Sequence, residues 1–198
     1  MYIFPTAYFP SINYLKALFG CEQPLIEIHE NYLKQTIRNR SEILTSNGIL
    51  TLSIPVLHNS GGKQLTKDVR IDYSKNWQID HWRAIQSAYA SAPYFEDYFE
   101  EIKLIINVKS KFLLEKNEQI LEFIESILEV NANYSYTSKF ENQIINNKNV
   151  FLDRDLIQTK SYQQVFSYNK AFIPNLSILD LIFNEGPFCR NWILTSKD

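Results

Sequence analysis

Cysteine is nearly absent from this chain, with only Cys21 and Cys189 among 198 residues. Neither is paired with histidine at a zinc-ligand spacing, so the sequence offers no disulfide framework and no structural metal site. The fold must rest on its core, and a composition that is 45% hydrophobic and 14% aromatic can supply one. Two buried thiols in a reducing compartment are the plain reading of the pair. Long apolar runs are also missing, and none approaches the roughly eighteen residues of a membrane span. The opening MYIFPTAYFP has no basic start, signal-length apolar run or small-residue cleavage site, so a cytoplasmic location is expected. Net charge is only −2, which argues against a dedicated nucleic-acid binder. Nucleophile elbows, phosphate loops and dinucleotide fingerprints are absent too.

What is present reads as one α/β domain over residues 1–198, with α+β as the alternative. YIF at 2–4 is a short strand, and the prolines of FPTAYFP keep the chain extended until Ser11, a helix cap. Ile12, Leu15, Leu18 and Phe19 recur at helical spacing before Gly20, and LIEIHE at 25–30 alternates as a strand. A β-loop-α-β unit follows from this order, with Thr6 to Ser11, Tyr8 included, as a candidate site wall. Segments 36–44 and 49–57 around Ser46-Asn47-Gly48 predict a β-hairpin, and both units are expected to join one mixed sheet. His58 to Gln64, with Gly61-Gly62, reads as a loop, and Val69 to Tyr73 as a returning strand. Packing helices are expected from Asn76 to about Ala90, Tyr94 to Ile106 and Leu114 to Val130. Strand and loop are expected over 131–149, and a short apolar helix over Ile178 to Phe183.

Charge is unevenly spread. Residues 31–83 carry eight basic side chains (Lys34, Arg38, Arg40, Lys63, Lys67, Arg70, Lys75 and Arg83) against four acidic ones. Such a block either focuses potential on an anionic small molecule or is a solvated strand surface. If it is one electropositive face, Arg38 and Arg40 are its sharpest feature. Strand alternation would place their guanidiniums on one side about 7 Å apart, suited to clamping a phosphate or carboxylate, with Asn39 pointing the other way. The three histidines, His29, His58 and His81, are separated by 29 and 23 residues and match no metal spacing. His81 lies between Trp77 and Ile85 on an apolar helix stripe. It is either a core histidine satisfied by one hydrogen bond or a site base. His29, at a strand end, is either simply exposed or part of a site.

The blocks FPTAYFPSINYLKAL, IEIHENYLKQTIRNRSEI, LTLSIPV, KDVRIDYSKNWQIDHWRAIQSAYASAPYF and PNLSILDLIFNEGP together resemble the WbqC-like family, in a form similar to those of Bacteroidetes-type bacteria. The resemblance covers most of the chain outside about 110–160. It implies a group transferase of bacterial surface-polysaccharide or O-antigen biosynthesis, with glycyl or aminoacyl transfer to an amino sugar as one suggested activity. The other reading is a non-catalytic ligand- or protein-binding module. Arg38, Asn39 and Arg40 match the family's arginine-asparagine block, and His81, Tyr89 and Pro93 its helix block. Taken with the loop wall and the strand-end position of His29, these matches assign substrate binding to Arg38, Asn39, Arg40, Tyr8 and Tyr89, and proton transfer to His81 or His29. The implied ligand is an anionic small molecule or nucleotide sugar. Where many relatives carry an aspartate-rich segment, this chain has Ile28-His29-Glu30-Asn31.

Overall fold

The computed structural model describes residues 2–57, 62–141, 161–166 and 171–194. Strand β1 (Tyr2–Pro5) leads through a loop into helix α1 (Ile12–Phe19), and β2 (Pro24–Glu27) returns parallel to β1 from Tyr2↔Pro24 to Pro5↔Glu27. Ser11 caps α1 by accepting the Tyr14 amide at 3.4 Å, so the expected β-loop-α-β unit is present. The antiparallel hairpin is present as well. Strand β3 (Arg40–Thr45) pairs with β4 (Gly48–Ser53) about a Ser46-Asn47 tip, and Gly48 takes the positive φ of 112° that the turn requires.

The expected helices follow as α2 (Trp77–Tyr89), α3 (Phe95–Asn107) and α4 (Leu113–Leu128). Two-residue β5 (Ser135–Tyr136) then pairs parallel to β2, giving the sheet order β1-β2-β5. The terminal helix runs from Ile178 to Glu185 (α5), and a short α6 (Cys189–Leu194) follows it.

The α/β class stands, but the parallel and antiparallel pairings occupy two sheets instead of one. The hairpin is diverted because the Glu42 carbonyl of β3 accepts the Ser177 amide at 2.9 Å and because α2 and α5 pack against the strand. Val69 to Tyr73 is extended but touches its neighbours only through single bridges, Val56↔Ile71 and Arg70↔Phe112, so it is not a strand. Asn76 precedes α2 without capping it through its side chain. The loop prediction at His58 to Gln64 lies partly outside the described residues, as does the strand-and-loop expectation beyond 141.

Two buried polar hubs tie the layers together. Asp180 on α5, fully enclosed, accepts from Tyr89 Oη at 2.9 Å, Tyr162 Oη at 2.5 Å and Gln164 Nε2 at 2.9 Å. Burial raises its carboxyl pKa, and the three donors work against that rise. Lys116 on α4 is also fully enclosed and closes the end of α3, donating to the carbonyls of Ile105 at 2.7 Å and Val108 at 2.6 Å. Its pKa falls to about 8 because burial penalises the ammonium.

Gly186 ends α5 at φ 54° and ψ −127°, a region that excludes most side chains, and a Cβ there would sit 2.4 Å from Cδ1 of Tyr94. Gly186→Ala should therefore lower the unfolding free energy by about 2 kcal/mol, from backbone strain and overpacking together. Urea denaturation reads this directly, and an unchanged midpoint would mean that the turn yields freely.

Candidate functional site

Arg38 does not share a strand face with Arg40. It lies in the turn before β3, 4% exposed, and its side chain runs inward to Glu30. Nε donates to Glu30 Oε1 at 2.5 Å, Nη2 contacts the same oxygen, and Nη1 donates to Thr36 Oγ1 at 3.2 Å. The Arg38 carbonyl accepts from Asn117 Nδ2 at 2.9 Å, which fixes the turn to α4. Burial raises the Glu30 pKa and Arg38 opposes that rise, so the pair holds two charges inside the protein against their desolvation cost. The expected two-arginine clamp is absent because this contact captures one of its members.

Arg40 instead opens outward from the first residue of β3, beside Asn39, into a cleft of about 400 Å³. Lys34 and Lys63 also line it, as does Tyr32. Three buried atoms of these lining side chains have no hydrogen-bond partner among the described residues: Arg40 Nε, Tyr32 Oη and Asn39 Oδ1. Asn39 is held in place by its other amide atom, Nδ2 donating to the Ile54 carbonyl at 2.9 Å. Buried polar atoms are normally paired; these three belong to side chains of the cleft lining but are themselves closed off from solvent, so a ligand in the cleft would complete their bonding only as those side chains turn toward it. Burial raises the Tyr32 pKa to about 12 against the opposing pull of Arg38 and Arg40, so its phenol is a protonated donor at neutral pH. No described carboxylate or imidazole lines this cleft.

The cleft exists because two segments distant in sequence are laced together. Tyr32 N donates to the Gln64 carbonyl at 2.8 Å, Thr66 N to Glu30 at 2.9 Å and Lys67 N to Ile28 at 3.1 Å. A second depression, of about 590 Å³, adjoins the first and shares Leu57, Lys63 and Gln64 with it; Asp68, Arg70 and Phe112 form its far side.

The eight basic side chains do not form one face. Lys34, Arg40, Lys63 and Arg70 border the two depressions, whereas Arg38 turns inward and Arg83 lies over the Trp82 ring on α2. Lys67 Nζ instead meets His29 Nδ1 at 3.4 Å, which places half-buried His29 beside a cation just past β2.

His81 is 5% exposed and edge-on to Trp77. Its Nδ1 shares a hydrogen bond with the Tyr8 hydroxyl at 2.9 Å, and the Ser53 backbone hydrogen-bonds the ring as well. Tyr8 and Tyr89 are both fully enclosed. Tyr89 spends its hydroxyl on Asp180 and on the Leu44 amide at 3.3 Å, so neither phenol reaches a cleft. The Thr6–Ser11 loop faces the core for the same reason: Phe9, strained at φ 36°, presents its carbonyl to Ser41 and Ser177, and Tyr8 N is bound to Ile37. The space beside it, bordered by Thr6, Ala7 and Pro10, is only about 10 Å³.

Tyr32 was not singled out by the sequence, since one tyrosine among twelve carries no spacing signal. Lys34 and Lys63 were visible only as members of the basic block.

Among the described residues, no group of three or more His, Cys, Asp or Glu side chains could hold a metal ion, and no helix is long and apolar enough to cross a membrane. The sequence profile of the WbqC-like protein family matches residues 6–158. The uncharacterized protein Rv1507c of Mycobacterium tuberculosis is 24% identical to this chain over 90% of each. No solved structure matches.

Proposed function

We propose, for a chain that belongs to the WbqC-like protein family, that the Arg40 cleft binds an anionic small molecule of the nucleotide-sugar class. In this reading the protein is a group transferase of bacterial surface-polysaccharide or O-antigen biosynthesis. Glycyl or aminoacyl transfer to an amino sugar is the reaction the resemblance suggests. The observation that carries the reading is the convergence of Arg40, Tyr32 and Asn39, each with a polar atom left unpartnered among the described residues, with Lys34 and Lys63 around one cleft. Arg40 and the lysines supply charge for a phosphate or carboxylate, and the Tyr32 phenol supplies a neutral donor. In a transfer reaction, the same groups stabilise negative charge building on a leaving group. His81 supports the cleft from behind, because the Ser53 backbone that it bonds forms part of the cleft wall. The family name, associated with polysaccharide biosynthesis genes, supports the choice of ligand class.

A second reading, a binding module without catalysis, is favoured by the lack of a carboxylate or imidazole among the described lining residues. The two separate on whether product forms.

A thermal-shift screen of inorganic phosphate, nucleotides and nucleotide sugars against wild type and Arg40→Gln tests the cleft. A ligand at a hundred times its Kd should stabilise the wild type by about 2.7 kcal/mol, and Arg40→Gln should lose most of that gain. Equal shifts in both proteins, or none in either, reject the cleft as the site. Mass spectrometry of the reaction mixture then separates a transferase from a binding module.

A further inference from the structure

We infer that the second depression receives the uncharged, hydroxylated body of a phosphate ester whose phosphate lies in the Arg40 cleft. The inference rests on the anion-binding reading of that cleft and adds which part of the ligand goes where. The two depressions differ in chemistry although they share a wall. Lys34, Arg40 and Lys63 line the first without a carboxylate among the described residues, which suits a dianionic group. The second is lined by Asp68 together with Arg70 and Lys63, with Leu57, Leu65 and Phe112 as apolar surface.

A carboxylate beside a phosphate repels it, so the phosphate belongs in the first depression. A carboxylate beside hydroxyl groups accepts their hydrogen bonds, and an apolar wall takes the face of a ring, so the second depression suits a sugar-like body. Lys63 and Gln64 stand at the shared wall, where the bridging ester oxygen would pass. Volumes of about 400 and 590 Å³ each lie in the range of small-molecule sites.

Asp68 is well placed for a test because it is exposed and its carboxylate has no hydrogen bond or ion pair with any described residue, so removing it should leave the fold intact. Isothermal titration of the full chain with inorganic phosphate and with glucose 1-phosphate should show the ester binding about tenfold more tightly, the equivalent of one charge-assisted hydrogen bond. Asp68→Ala should abolish that preference, weakening the ester while leaving phosphate unchanged or bound more tightly. Arg40→Gln should weaken both about tenfold or more.

Equal wild-type affinity for the two ligands overturns the inference and leaves the cleft reading intact. So does Asp68→Ala tightening both alike. Arg40→Gln without effect on either ligand, or no binding of either by the wild type, overturns the cleft reading and the inference with it.

Discussion

Arg38→Met is expected to lower the unfolding free energy by about 3–5 kcal/mol, because it leaves the Glu30 carboxylate buried without its partner. Glu30 is 3% exposed and Arg38 4%, so water cannot take over the bond. The Asn117 contact goes to the Arg38 carbonyl and survives the substitution, which confines the loss to the guanidinium. The double variant Arg38→Met/Glu30→Met should recover most of the loss, since an apolar pair carries no desolvation cost. Urea unfolding of the four proteins of this cycle gives the coupling directly. A single-variant loss below about 1 kcal/mol would mean that the pair is no more valuable than an exposed one. Ligand affinity should fall together with stability, because the turn carrying Arg38 also sets Asn39 and Arg40 at the cleft.

This pair shows what the sequence could and could not disclose. Hairpin and helices were legible because their signals are local: the Ser46-Asn47-Gly48 turn, the recurrence of Ile120, Ile124 and Leu128 on α4, and Ser11 ahead of α1. The relation of Arg38 to Arg40 was not legible. Period-two alternation holds only where both residues lie in the strand, and β3 begins at Arg40. Glu30, eight residues upstream, takes Arg38 out of that pattern through a contact that no periodicity encodes.

Other misreadings have the same origin. The cleft is built from segment 28–32 laced to 64–67, a long-range pairing that the local alternation at 25–30 does not encode. Tyr8, read as part of the loop wall, and Tyr89, read from the family's helix block, were expected as ligand contacts, but each hydroxyl finds its partner inside the core.

His81 was open to two readings, and its acid titration separates them. Its imidazole has a pKa lowered to about 4, chiefly by burial, while the Ser53 hydrogen bond and Asp80 oppose the shift. The unfolded chain binds the proton near pH 6.5, well before the native state does. Stability from this residue is therefore complete above pH 6.5 and is lost as pH falls toward 4, by about 3 kcal/mol in all. His81→Gln cannot take up a proton in either state, so its stability should lack this acid limb, although it starts lower at pH 7.5 if the Tyr8 hydroxyl loses its acceptor. Urea unfolding between pH 4.5 and 7.5 compares the two limbs, and the imidazole NMR shift reads the native pKa itself. A native His81 titrating near 6.5, with wild type and variant falling in parallel, would show an imidazole open to solvent and restore it as a proton-transfer group. A depressed pKa with a limb only in the wild type assigns His81 to the wall behind Ser53, and catalytic proton transfer must then come from elsewhere.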